Sequence, residues 1–416
     1  MSKIQETSSN ILQFIRSIFA GLEDGRLFFN NAAGALRLKS VLDLQRKLSS
    51  LPDYPSTVRG AEYLLTAMEE GKESVRCLLN APEGGCVIQD LSASRLLFSL
   101  ADAAVRIGTG DRIVTTALDH PAAIDGAKRA AAKYGKQVTI VPVDQTIHSV
   151  TVEQVVEAVT SDTSLLMLTC TSNTTGAQLP YREIVSAARK KCPELYIVLD
   201  GVQRLPHGPV RLMDVPADAL VLAPYKVFSS RGSGLAWVSD RLDRAGQECL
   251  FGQNGSTWSL GSVDPVSFGL MKAVADYFEE IGHMSTGGEN RRELIHAGQQ
   301  FVESREQALQ LLMLEGTDQV PGLRHIPGVH IWFDQDMPSN KDFIVSITVD
   351  GWKSEDFFQK LIDHNIFVSL RKESSIYCGT LLKDYGSGDI LRISPMHYNT
   401  KEEMLNFLQT MQTLVI

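Results

Sequence analysis

Between Leu27 and about Ser239, short apolar runs alternate with longer stretches whose apolar positions recur every three or four residues. The short runs fall at 86–89, 112–115, 138–143, 165–169, 196–199 and 219–222. They are apolar almost throughout, as strands buried on both faces are, and parallel sheets read this way. Residues 93–107, 121–136, 152–159 and 181–191 carry the helical period between them. Such alternation predicts a mainly parallel sheet covered on both faces. A further run at 234–238 follows the last strand after a short connection, which suits antiparallel pairing.

Past Pro265 the pattern changes to long helices at 266–281 and 289–314. Strand-like runs follow at 329–333, 344–349, 366–369 and 390–394, with helices at 354–364 and 401–413. The expected organisation is a helical arm over 1–25, a large domain over 26–265, and long helices with a small α+β domain over 266–416. In the arm, Ile11, Leu12, Phe14, Ile15, Ile18 and Phe19 recur with a helical period. They do not form the uninterrupted apolar run of a signal peptide or membrane span, so the arm is read as packed on the body or on a second subunit.

Composition narrows the function classes. With 416 residues, 44% hydrophobic and 21% charged, the chain has the make-up of an ordinary globular protein with more than one core. A formal net charge of −9 argues against nucleic acid as a partner, because phosphate neutralisation needs clustered cations. The six cysteines are scattered without C-x-x-C spacing, which implies reduced thiols in a cytoplasmic protein and no metal site.

The chemistry concentrates at two strand ends. The run Ile197-Val-Leu-Asp-Gly-Val-Gln203 delivers an acid at the carboxyl end of a strand, the edge where open α/β sheets bind ligands. Taken alone, Asp200 would read as a turn cap. The next strand, Ala219-Leu-Val-Leu-Ala-Pro-Tyr-Lys226, delivers a lysine just beyond its end, followed by the glycine-rich Ser229-Ser-Arg-Gly-Ser-Gly234. Together, an Asp and a Lys at neighbouring strand ends are what pyridoxal 5'-phosphate (PLP) requires. The carboxylate keeps the pyridine nitrogen protonated, and the amine forms a Schiff base.

Several segments then fall into register with one family. Asp200-Gly-Val-Gln-Arg-Leu-Pro-His-Gly-Pro-Val210 resembles the D-G-A-Q-x-x-P-H-x-P-V segment of cysteine desulfurases, selenocysteine lyases and isopenicillin N epimerase-like proteins of aminotransferase class V. Phe28-Phe-Asn-Asn-Ala-Ala33, Leu118-Asp-His120, Thr171-Ser-Asn-Thr-Thr-Gly176 and Leu391-Arg-Ile-Ser-Pro-Met-His-Tyr-Asn-Thr400 resemble further motifs of that family, in the same order. The resemblance implies an α/β fold, the fold type I of PLP-dependent transferases, with a mainly parallel large domain and a smaller α+β C-terminal domain. It implies catalytic Lys226 and a His120 that stacks on the ring, with Asn173 and Gln203 near its phenolic oxygen and Asp200 at its nitrogen.

The same resemblance assigns the PLP phosphate to Ala93 and Ser94 at a helix start, assisted by Tyr225 and by Ser262 of a neighbouring subunit. It therefore implies a homodimer with shared active sites. Arg392 would grip the carboxylate of a small amino-acid substrate, with Asn31 and Ala32 lining that end. The sequence departs from the family at the phosphate, where Ser92, Ala93 and Arg95 replace Gly, Thr and Glu. Ala223-Pro-Tyr-Lys226 likewise replaces S-G-H-K.

The reaction turns on the loop Arg371-Lys-Glu-Ser-Ser-Ile-Tyr-Cys378, which lacks the R-T-G-x-x-C motif of the desulfurases. Cys378 comes several residues late and reads as an inert, partly buried thiol. A lyase or transferase of specialised amino-acid metabolism is the expected function. The alternatives are an aminotransferase, a desulfurase using Cys378, and a non-catalytic PLP-fold binding module. Arg371 and Lys372 read as solvated loop cations, or else as recognising a second acidic group.

Overall fold

In the computed structural model, described for residues 3–52, 61–245, 258, 260–261, 263–335 and 340–415, seven strands form the main sheet. They are β2 (Cys86–Asp90), β3 (Arg112–Thr116), β4 (Gln137–Val141), β5 (Thr163–Thr169), β6 (Tyr196–Asp200), β7 (Ala219–Leu222) and β8 (Gly234–Val238). Their order is β2-β8-β7-β6-β5-β3-β4. The five strands from β3 to β7 pair in parallel, and β8 runs antiparallel to both its neighbours. The expected open, mainly parallel sheet and its antiparallel strand are thus both present.

Alternate residues of these strands face separate cores, as the two-residue strand period requires. Ile113, Leu165, Met167, Val198 and Val221 pack under α4 (Ala93–Ile107) and α5 (Pro121–Tyr134). Val114, Leu166, Leu168, Ile197, Leu199 and Leu220 join the larger core on the other face. That core also takes in α6 (Val152–Ala158), α7 (Tyr181–Lys191) and α9 (Pro265–Thr286). The N-terminal helix α1 (Lys3–Ile18) packs on this chain's own body, with Ile11, Ile15 and Phe19 buried in the same core.

Two helices lie where the periodic reading assigned none, α2 (Lys39–Leu48) and α3 (Ala61–Leu78). A glycine interrupts the pattern in α3 for a physical reason. A Cβ on Gly71 would sit 1.9 Å from the Phe268 carbonyl oxygen, so the close packing of α3 on α9 excludes a better helix former.

A smaller antiparallel sheet has the order β12-β13-β10-β9. Its members are β9 (Val329–Trp332), β10 (Val345–Val349), β12 (Ser369–Arg371) and β13 (Ile390–Ile393). A third core, including Ile347, Phe357, Leu391 and Phe407, lies beneath it and α13 (Lys401–Val415). The single run expected at 366–369 is broken in two. β11 (Ile366–Phe367) leaves to pair in parallel with β1 (Leu27–Phe28), and β12 stays in the sheet. Among the described residues no helix is long and apolar enough to cross a membrane.

Candidate functional site

The carboxyl ends of β5, β6 and β7 open onto a cleft. Thr169 lies opposite Asp200, and Asp200 opposite Val221, so the acid sits in the middle of the parallel edge. Lys226 follows on a short 3-10 turn, Pro224–Lys226, that carries it back over the same edge. Both residues line the cleft, as do Ala93, Ser94, His120, Asn173, Gln203 and Tyr225. The structure therefore brings together most of the positions singled out in the sequence.

Burial sets the electrostatics here. Lys226 is 8% exposed. Desolvation, followed by Arg392, pulls its amine down to about 7 against the opposing pull of Asp200. Burial pushes the Asp200 carboxyl up, while the Val202 amide and the Lys226 charge hold it down. Its Oδ1 accepts from the Val202 amide at 3.0 Å, and among the described residues Oδ2 has no donor. A desolvated lysine and a half-satisfied carboxylate facing one cleft are what a functional site offers.

His120 is the N-cap of α5, with Pro121 as the first helical residue. Its Nδ1 accepts from the Ala122 amide at 3.1 Å, so the neutral ring carries its proton on Nε2. Burial, then Lys226 and Arg371, depress its pKa to about 4, which keeps the imidazole neutral. The preceding residue, Asp119, braces this turn. Its Oδ2 accepts from the Thr115 hydroxyl at 2.8 Å and the Thr116 amide at 2.6 Å, and its Oδ1 takes the Thr169 amide. β3 and β5 are thereby tied together beneath His120. The role of Asp119 was not read from the sequence, although it sits inside the Leu118-Asp-His120 segment.

Asn173 is held in a turn that ends at Gly176. The φ of +77° there, and the Asp342 carbonyl oxygen 2.9 Å from where a Cβ would stand, leave room only for glycine. The Asn173 carbonyl accepts from Arg392 Nη1 at 2.7 Å, which joins β13 of the small sheet to the cleft. Gln203 donates Nε2 to the Ala32 carbonyl at 3.0 Å, leaving Oε1 buried without a partner. Ala32 thus backs Gln203. Asn31 is fully engaged elsewhere, its Nδ2 donating to the Ser394 carbonyl at 2.9 Å and its Oδ1 accepting from Tyr398. Neither residue lines the cleft itself.

At the other end, Ser92 caps α4 by accepting from the Arg95 amide at 3.1 Å, and Ala93 and Ser94 form the first turn. Gly234 permits this approach, since a Cβ there would meet the Ala93 nitrogen at 2.2 Å. Arg95 turns away, its side chain 64% exposed and 3.6 Å from Asp90. The Arg231 guanidinium stacks 3.8 Å from the centre of the Tyr225 ring. Ser262 lies outside the described residues.

Of the two loop cations, Arg371 departs from the solvated reading and Lys372 keeps it. Arg371 is not a solvated cation: it lies on β12, with Nε and Nη2 buried and unpartnered. Lys372 is exposed and pairs with Glu355 at 2.9 Å. Tyr377 brings the same loop over His120, with ring centres 5.8 Å apart. A larger open groove of about 970 Å3 lies against α10 (Arg291–Glu315), but its cations are already spent. There Arg204 pairs with Asp342 and Glu303, and Arg182 donates to the Val210 carbonyl.

The chain is similar along nearly its whole length to known proteins. The chain is 25% identical to a probable cysteine desulfurase of Aeropyrum pernix, over 96% of this chain and 97% of the relative. It is also 25% identical to an aminotransferase-like protein of Gibberella zeae, over 96% and 97%. Its fold matches that of the apo cysteine desulfurase of Thermococcus onnurineus with a TM-score of 0.81 at 19% identity, covering 97% and 98% of the two chains. The model of the aminotransferase class-V family matches residues 27–407, and this chain belongs to that family.

Proposed function

We propose that the protein is a PLP-dependent enzyme that acts on an α-amino acid through Lys226, as a lyase or transferase of specialised amino-acid metabolism. The observation that carries this reading is the pairing of Asp200 and Lys226 on adjacent strand ends of one cleft, the amine held near neutrality by burial. The residues present fit the cofactor. Asp200 Oδ2 and Gln203 Oε1 want donors, and the free amides at the start of α4 suit an anion. Bound there, PLP supplies an electron sink that makes the bonds at the substrate Cα labile.

The chain's own residues do the rest. The Asp200 carboxylate would hold a proton at the nitrogen of the bound ring. The Lys226 amine, neutral for part of the time at physiological pH, would hold the cofactor covalently and is placed to move a proton at the substrate Cα. His120 presents a neutral imidazole whose Nε2 proton is free of protein acceptors among the described residues, suited to stacking and to donating. Arg392, 1% exposed with Nε and Nη2 unpartnered, receives the substrate carboxylate.

Cys378 is 5% exposed and donates to the Lys372 carbonyl at 3.6 Å, which supports a role in packing rather than in sulfur transfer. Exposed Leu91, Ile376 and Tyr377 flank the cleft, and they support its covering by a second copy in a homodimer. The test is the visible spectrum of the protein with PLP, alone and with a panel of amino acids, with Lys226→Ala as control. A band that needs Lys226 and is shifted by one class of amino acid is expected. The absence of any band in excess PLP would leave a binding module in place of an enzyme.

A further inference from the structure

β12 and β13 pair so that Ser369 faces Arg392 and Arg371 faces Ile390. Residues two apart on a strand share a face, so Arg371 and Arg392 stand diagonally on one side of the small sheet. Arg392 spends one nitrogen on the Asn173 carbonyl and keeps Nε and Nη2 buried without an acceptor. Arg371 likewise keeps Nε and Nη2 buried and unpaired. Neither makes an ion pair among the described residues. The nearby acids are committed elsewhere, Glu355 to Lys372 and Asp389 to the Glu373 amide at 2.7 Å.

Both guanidiniums reach the cleft electrostatically. Lys226 and Arg392 are depressed first by burial, and each also feels the charge of Arg371. Two adjacent cations, one buried and one half-buried with Nε and Nη2 out of water, are unfavourable without a carboxylate unless an anion from outside completes them. On the reading given above, one such anion is the substrate α-carboxylate at Arg392, and the PLP phosphate lies at the start of α4. Arg371 is left without a partner.

We propose that Arg371 is a specificity residue that binds a second acidic group, a carboxylate or sulfinate, on the side chain of the amino-acid substrate. The inference rests on the assignment of Arg392 to the α-carboxylate. A planar fork with two free N–H groups suits such an oxyanion, whereas a neutral side chain would leave it unsatisfied.

The experiment is calorimetric titration of the PLP-loaded protein with L-aspartate and L-glutamate against L-asparagine and L-glutamine. The acidic member of each pair is expected to bind at least about tenfold more tightly, the range of a charge-assisted hydrogen bond. Arg371→Gln should bring that ratio close to one, and Arg371→Lys should restore part of it. Arg392→Gln should weaken acidic and amide members together. Equal affinities in the wild type, or a preference that survives Arg371→Gln, would overturn the proposal. Failure of the cofactor reading registers separately, as the absence of a Lys226-dependent band. In that event succinate against propionate, which need no cofactor, decides the matter: a dicarboxylate preference lost in Arg371→Gln upholds the site, and equal binding overturns it.

Discussion

Two arginines lie buried in this protein under opposite conditions. Arg204, 4% exposed, is held by Asp342 at 2.5 Å and by Glu303. Burial alone would lower its pKa, but the two carboxylates more than offset this and raise it. Arg392, 1% exposed, has one carbonyl and no carboxylate. Burial, then Arg371, lower its pKa to about 9. The protein completes the first charge itself and leaves the second to be completed by a ligand. A buried cation is thus structural or functional according to who supplies its anion.

The contrast predicts how substitutions should part. Arg204→Ala strands Asp342 in the interior and should lower the free energy of unfolding by about 3–5 kcal/mol, read by chemical denaturation. Arg392→Ala removes a charge that nothing in the free protein repays, so the same measurement should show little loss. Its amino-acid affinity should instead fall by about 1.5–3 kcal/mol, read by calorimetry. Large losses of stability in both variants would erase the distinction.

A smaller effect sharpens the electrostatic side of the comparison. Because the Lys226 amine titrates at about 7 and only its neutral form captures PLP, the capture rate should rise as pH passes through about 7 and then level off. An ordinary lysine would still be gaining up to about pH 10. Stopped-flow absorbance across pH 6 to 10 reads the midpoint. The smallest effect is expected of Cys378→Ala, which should change turnover by less than about twofold because that thiol packs instead of reacting. Loss of all turnover would restore the desulfurase alternative.

How far these features were legible in the sequence depends on their range. Asp200 and Lys226 could be read because each ends an apolar strand, and parallel strands announce themselves as continuous runs. The small sheet was legible as strand runs, but not the break at Val368 that sends β11 to β1 and β12 to β13. The status of Arg371 depends on that break, since only the β12–β13 register sets it beside Arg392. The Gln203 bond to Ala32, and the turn of Tyr377 toward His120, join positions far apart in the chain and carry no local signal. α3 was hidden by the glycine that its own packing requires.

The central claim is that Lys226 is the residue that holds the cofactor. Borohydride reduction of the PLP-treated protein, followed by peptide mass mapping, tests it most directly. A pyridoxyl group on the peptide carrying Lys226, absent from Lys226→Ala, is the predicted result. A label on another lysine, or none at all, would contradict the account.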